Sequence, residues 1–261
     1  MLDLTTLYLE QLKKGLTNRL NSEVPDTLID PGSFEELTPE WFQHFWFGNA
    51  LTMCGMKKLD NLQFCIEACL ERKVPGDLIE CGVWRGGATI FMRGVLAAHG
   101  ISDRTVWVAD SFRGLPLPPA GSLDEKMYNG KEVVEVDRLA VALETVKSHF
   151  RRYGLLDDQV RFLAGWFHDT LPRAPLKEVA VLRLDADSYD SSRHTLVHVY
   201  PKVSVGGYVI LDDWGLDRIC GEKQAVVEYR QANNITDEII EVDWQCAYWR
   251  KGAGAGGGST R

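Results

Sequence analysis

The chain has 261 residues, 45% of them apolar, with a formal net charge of −8. That length suits one α/β domain with additions, or at most two small domains, and the apolar share can fill a sizeable core. An acidic chain without a basic cluster lacks the Lys and Arg that neutralise phosphates, so nucleic acid and anionic membrane surfaces are excluded as expected partners.

Met1-Leu2-Asp3-Leu4 lacks the basic opening and apolar stretch of a secretory signal. No apolar run reaches the roughly 18–20 residues of a transmembrane helix. A cytoplasmic location is the expectation. Residues 3–20 read as an amphipathic helix on Leu9, Leu12, Leu16 and Leu20, weakened by Gly15. Residues 22–40 read as mostly irregular. The aromatic run Trp41-Phe42-Gln43-His44-Phe45-Trp46-Phe47 follows, read either as packing against the main domain or a sister subunit, or as a wall of a substrate pocket. Residues 59–73 read as a helix ending before Pro75-Gly76.

From residue 77 short apolar strands alternate with helices: strands at 77–80, 105–110, 160–164, 179–185 and 207–212, and helices at 87–98, 136–153, 190–200 and 221–233. A Pro-bearing loop, 111–135, carries Met127 and Tyr128 and is read as a cover over the site. Alternation of this kind predicts a parallel sheet with helices on both faces. Strands at 238–242 and 247–250 are joined by Asp243-Trp244-Gln245, too short for a crossover, so they should be antiparallel neighbours. This is the layout of Rossmann-like methyltransferases: an α/β fold, a mostly parallel seven-stranded sheet with an antiparallel last strand. Cysteines at 54, 65, 69, 81, 220 and 246 form no Cys-x-x-Cys pair and are expected to be reduced core thiols, not a zinc site. The tail 252–261, mostly Gly and Ala, is expected to be disordered.

In open α/β sheets ligands bind beyond the carboxyl ends of the strands. The first strand ends Glu80-Cys81-Gly82-Val83-Trp84-Arg85-Gly86-Gly87, a turn that lets backbone approach a ligand and presents helix N–H groups to an anion. It is not the Gly-x-Gly-x-x-Gly of dinucleotide sites. Asp110-Ser111 ends the second strand, where an acid can accept from ribose hydroxyls. Gly165-Trp166 ends the third, allowing close approach and stacking near an adenine. Asp185-Ala186-Asp187-Ser188 and Asp212-Asp213 end the fourth and fifth. Carboxylates about 4 Å apart repel by roughly 4 kcal/mol per pair at an effective dielectric near 20. Asp185, Asp212 and Asp213 together should therefore raise their pKa values or bind a cation, Mg²⁺ first, with Mn²⁺ or Ca²⁺ as alternatives. His194 and His198 stand at metal-ligand spacing but well past the strand end.

These segments resemble the macrocin-type O-methyltransferases, which methylate sugar hydroxyls of macrolides and related natural products. The resemblance runs from Leu51 to Arg250 and rests on residues 52–57, 80–87, 107–112, 153–160, 165–167, 182–189 and 206–213. It implies an S-adenosylmethionine donor, Mg²⁺, a small-molecule hydroxyl acceptor such as a glycoside, and a homo-oligomer. It places Thr52 and Met53 beside the donor, Glu80, Gly82 and Gly86 on its amino-acid part, Asp110 and Ser111 at the ribose, and Asp185, Asp212 and Asp213 on the metal. Catechol-type relatives carry a Lys three residues after the first metal Asp; here that position is Ser188. The proton acceptor is then Asp185 or a hydroxide carried by the metal, with His168 and Asp187 behind them. The corresponding organisation is an N-terminal helical and aromatic extension (1–58), a methyltransferase domain (59–251) and the Gly-rich tail. Two rival readings are a nicotinamide-dependent oxidoreductase on the same sheet type and a non-catalytic nucleoside-binding protein.

Overall fold

The computed structural model describes residues 3–20, 23–128, 136–216 and 221–254. Helix α1 (Leu4–Leu16) is capped by Asp3, whose carboxylate accepts from Thr6 N–H at 2.7 Å. It stops four residues before the expected end. Thr17 turns its hydroxyl back onto Lys13 O, Asn18 takes φ +57°, and Leu20 lies outside the helix, 55% exposed. Residues 22–40, expected to be irregular, hold the one-turn helix α2 (Asp26–Ile29) and a 3₁₀ turn at Phe34–Glu36. The aromatic run forms α3 (Pro39–Phe45), with Thr38 accepting from Trp41 N–H and proline in the first turn. Helix α4 (Met56–Glu71) follows.

Seven strands form one sheet in the order β3-β2-β1-β4-β5-β7-β6. They are β1 (Asp77–Cys81), β2 (Val106–Asp110), β3 (Val160–Ala164), β4 (Val179–Leu184), β5 (Val203–Leu211), β6 (Ile240–Glu241) and β7 (Ala247–Arg250). The first five run parallel, and β7 pairs antiparallel with both β5 and β6. The expected topology is present, with β6 shortened to two residues. Successive side chains go to opposite faces. Leu78, Val108, Tyr208 and Ile210 therefore pack with α1, α4 and α5 (Gly87–Ala98), while Ile79, Ala109, Val209 and Leu211 pack with α10 (Tyr189–Val199) and α11 (Glu222–Ala232).

The helix expected over 136–153 is two: α7 (Val136–Leu139) and α8 (Leu143–Arg152). Nothing in the propensity of Ala140-Val141-Ala142 ends a helix. Tertiary contacts on either side do: Arg138 O accepts from the Trp84 indole and Val141 packs on the core. Loop 111–135 contains a further helix, α6 (Leu123–Tyr128), and α9 (Phe167–Thr170) follows β3. The side chains of Met127 and Tyr128, residues 129–135, Cys220 and the tail from residue 255 lie outside the described residues. The other five cysteines are buried and free. Among the described residues no helix is long and apolar enough to cross a membrane.

Candidate active site

The carboxyl ends of β1, β2, β3 and β4 open into one cavity. Met53, Gly82, Asp110, Ser111, Trp166 and Asp185 all line it, with Gly114, Leu115, Pro116 and Leu139 on the loop side. The turn after β1 is built from positive-φ residues: Gly82 at +92°, Trp84 at +47° and Gly86 at +86°. A Cβ on Gly82 would sit 1.6 Å from Asp185 O, so the first strand's turn presses directly on the fourth strand's end. The Asp110 carboxylate accepts from Val83 N–H at 2.8 Å and Phe112 N–H at 2.6 Å, which joins the β1 and β2 ends. Burial raises the Asp110 pKa, and these backbone bonds pull it back. Ser111 donates to Gly114 O at 2.7 Å and so shapes the loop.

Other expected donor residues sit one layer back. Thr52 is buried, its hydroxyl accepting from Cys54 N–H at 3.0 Å. Glu80 is buried under the cavity floor and paired with Arg183. Gly86 packs against α8, where a Cβ would meet Val146 at 2.7 Å. Gly165, at φ +144°, carries the chain from β3 into Trp166. The aromatic run does not line this cavity. Trp41, Phe45 and Trp46 pack with Ile29, Ala50 and Met53 instead. Arg85 binds that segment to the donor turn, donating to the carbonyls of Gly48 (2.9 Å), Ala50 (2.7 Å) and Trp46 (2.8 Å).

The acids at the β4 and β5 ends converge, but not as three equals. Carboxylate oxygens of Asp185, Asp187 and Asp213 lie within 4.8 Å of one another. Asp212 is not one of that trio: its two oxygens are taken by Lys58 Nζ, at 3.1 Å, and by Arg183. Arg183 is fully enclosed in β4 and also reaches Glu80 and, at 2.6 Å, Asp185. An isolated charge in the middle of a buried strand costs too much to persist, so it must be paired on every side. Asp213 accepts from Gln245 at 3.1 Å, and behind it Glu222 accepts from Asp213 N–H at 3.1 Å.

Six carboxyl groups (Glu80, Asp185, Asp187, Asp212, Asp213, Glu222) thus gather around two buried cations, Lys58 and Arg183. Charge balance decides their states. Burial raises Asp212 too, but Arg183 and Lys58 outweigh it and hold Asp212 below the usual carboxylate range. Burial, then repulsion from Asp212, pushes Asp185 up to about 6; burial, then Asp185, pushes Asp213 up to about 7. Glu222 goes well above its ordinary value, through burial and then Asp213. Buried oxygens of Asp213 (Oδ2), Glu222 (Oε2) and Glu80 (Oε2) have no hydrogen-bond partner. An acid-rich pocket with orphaned oxygens and two partly open carboxylates (Asp185, 29% exposed, and Asp187) has the donor set of a hard divalent cation.

Ser188 is not a base: it caps α10, its hydroxyl accepting from Ser191 N–H at 3.2 Å. His168 is exposed and 3.4 Å from Asp169, away from the acids. His194 and His198 stack at 6.3 Å, with His168 5.8 Å from His194. Sequence reasoning missed Arg183, Lys58 and Glu222. The available signal was a lone Arg inside an otherwise apolar strand, Val179-Ala180-Val181-Leu182-Arg183-Leu184.

The family model described as Macrocin-O-methyltransferase (TylF) matches residues 40–251. The chain belongs to the macrocin O-methyltransferase family. It is 46% identical over 255 residues to mycinamicin III 3''-O-methyltransferase of Micromonospora griseorubida, covering 95% of this chain and 97% of that one. It is 48% identical over 255 residues to 8-demethyl-8-(2,3-dimethoxy-alpha-L-rhamnosyl)-tetracenomycin-C 4'-O-methyltransferase of Streptomyces olivaceus, covering 95% and 94%. Among solved structures, the O-methyltransferase NovP superposes with a TM-score of 0.80 at 45% identity, covering 95% of this chain and 99% of that one. The protein is therefore an O-methyltransferase on a Rossmann-like fold, with S-adenosylmethionine as donor. The oxidoreductase and non-catalytic readings fall with that membership.

Proposed function

We propose that this O-methyltransferase acts on a sugar hydroxyl of a glycosylated natural product, assisted by Mg²⁺ bound at the β4 and β5 ends. The observation that carries the reading is one cavity whose wall holds both the donor-side residues Gly82, Asp110 and Trp166 and the acid Asp185. The names of the relatives support the acceptor class, one of them acting on a rhamnosyl-bearing tetracenomycin.

In this reading Met53, Gly82, Ser111, Gly165 and Trp166 enclose the donor, and Asp110 receives its ribose hydroxyls. Thr52, Glu80 and Gly86 support them from below. Asp185 and Asp213 hold the cation, with Asp187 within reach and Asp212 fixed by its two cations as the anchor of the group. When bound, Mg²⁺ supplies positive charge that lowers the pKa of the acceptor hydroxyl. Asp185, partly exposed on the cavity wall, takes the hydroxyl proton. The acceptor oxygen forms its new bond to the sulfonium methyl carbon, and the carbon–sulfur pair stays on sulfur, leaving S-adenosylhomocysteine. The cavity walls hold the two reactants in line, which accounts for a large share of such a rate.

Two measurements bear on the metal. A strong chelator should abolish methyl transfer to a glycoside panel, and added Mg²⁺ should restore it. Full activity in the chelated protein ends the metal reading. The acids also set a pH dependence. The folded values of Asp185 and Asp213, about 6 and about 7, lie above the ordinary 3.8. The folded metal-free state therefore holds more protons than the unfolded one between those values, and loses stability as pH rises through them. Mg²⁺ binding needs the ionised acids and grows stronger over the same range. The gain in Tm on adding Mg²⁺ should thus widen from about pH 5.5 to about pH 8. A gain that is flat with pH contradicts this assignment of ligands.

A homo-oligomer in the cytoplasm completes the reading. The five buried free thiols suit a reducing compartment, and light scattering on the purified protein measures the assembly.

A further inference from the structure

The loop after β2 forms one wall of the donor cavity, and among its described residues the buried acid Asp124 ties it to the start of α10. We propose that Asp124 is a positioning residue: its carboxylate latches this loop to the start of α10 and so holds the Gly114–Pro116 wall against the donor. The inference rests on the reading of this cavity as the donor site.

Asp124 stands in the first turn of α6, between partly exposed neighbours, yet is itself 3% exposed. Its Oδ1 accepts from Tyr189 N–H at 2.7 Å and its Oδ2 from Asp190 N–H at 3.2 Å, across 65 and 66 positions of chain. These are free donors of a helix's first turn, which need an acceptor. The Ser188 hydroxyl caps Ser191 N–H, and the loop's Asp124 takes the N–H groups of Tyr189 and Asp190. Both partners gain: the helix end is capped, and the loop acquires a fixed point of charge-assisted bonds.

The junction is built around that contact. A Cβ on Gly221 would lie 2.4 Å from Tyr189 N and 2.8 Å from Asp124 Oδ1. Gly221 N–H donates to Asp187 O at 2.8 Å, and the next residue, Glu222, accepts from Asp213 N–H. The loop, the β4 turn and the β5 end therefore meet at one place. From Asp124 the chain runs back through Pro119, Pro118 and Pro116, whose fixed φ angles stiffen it, to the cavity wall. Pro116, Trp166, Phe167 and Ser191 also line the neighbouring cavity in which Asp124 lies.

The test is calorimetric titration of S-adenosylmethionine into the full-length wild type, Asp124→Ala and Asp124→Asn. The expected result is a Kd weaker by about tenfold for the alanine variant, with asparagine, which keeps one acceptor oxygen, falling between. KM for donor should rise in step, while kcat at saturating donor changes less than about threefold. A helix cap with no part in positioning lowers Tm and leaves Kd unchanged. An alanine Kd within about twofold of wild type overturns the proposal. If Asp124→Ala does not fold, Asp124→Asn decides it by the same criterion, with about threefold as the expected shift. Wild type that fails to bind the donor overturns the donor-site reading itself, a separate outcome.

Discussion

Asp185→Ala should lose about 10³-fold or more in turnover while still binding S-adenosylmethionine within about threefold of wild type. Asp185, with Asp187 beside it, is where the metal side and the donor side of the cavity meet, and it is the one of the two bonded to Arg183. It lines the donor cavity, it belongs to the three-acid cluster, and it keeps part of its surface open. Its removal takes away a cation ligand and the proton acceptor together. The fold should survive, because the cluster has more carboxyl groups than cations and Arg183 retains Glu80 and Asp212. Asp185→Asn separates size from charge and should be nearly as inactive. Turnover within tenfold of wild type in either variant would remove Asp185 from the chemistry.

Arg183→Ala should be the most destabilising single substitution in the site. The guanidinium is buried and bonded to Glu80, Asp185, Asp212 and the Cys54 sulfur. Deleting one partner of a buried ion pair costs about 3–5 kcal/mol, because the other charge is left without compensation. In a domain of this size that corresponds to a fall in Tm of about 10 °C. Arg183→Lys keeps a charge but cannot span three carboxylates with one ammonium, so it should recover only part of the loss. Lowering the pH should narrow the deficit, since Asp212, which Arg183 and Lys58 hold below the usual carboxylate range despite its burial, can then be protonated and no longer needs the arginine. A melting curve for Arg183→Ala within about 2–3 °C of wild type, equivalent to about 1 kcal/mol, would show that the arginine is not the counter-charge of this site.

Much of this was legible from residue order because it depends on local pattern. The short apolar runs of β1, β2, β4 and β5 read as strands, and the link between residues 242 and 247, too short for a crossover, pointed to the antiparallel end. The strand-end rule led to Gly82, Asp110, Trp166 and Asp185, which line one cavity. What was not legible depends on contacts between distant segments. The break between α7 and α8 follows from the Trp84 indole on Arg138 O, 54 positions away. The engagement of Asp212 by Lys58, 154 positions away, is a contact of the same kind. Spacing along the chain carries no trace of either. Asp187 entered only as a weaker base candidate, yet the β4 turn gives it φ +55° and brings its carboxylate into the acidic cluster.

Arg85 gives the donor turn an unusual dependence on the start of the chain. Four carbonyls between Phe45 and Ala50 converge on its guanidinium, and Leu51 O accepts from Gly87 N–H at 2.9 Å. The strand–turn–helix unit that carries the glycines is therefore not self-sufficient. A chimera that exchanges residues 1–51 between relatives transplants a socket, and it will keep its nucleoside affinity only where an arginine on the recipient side fits that socket.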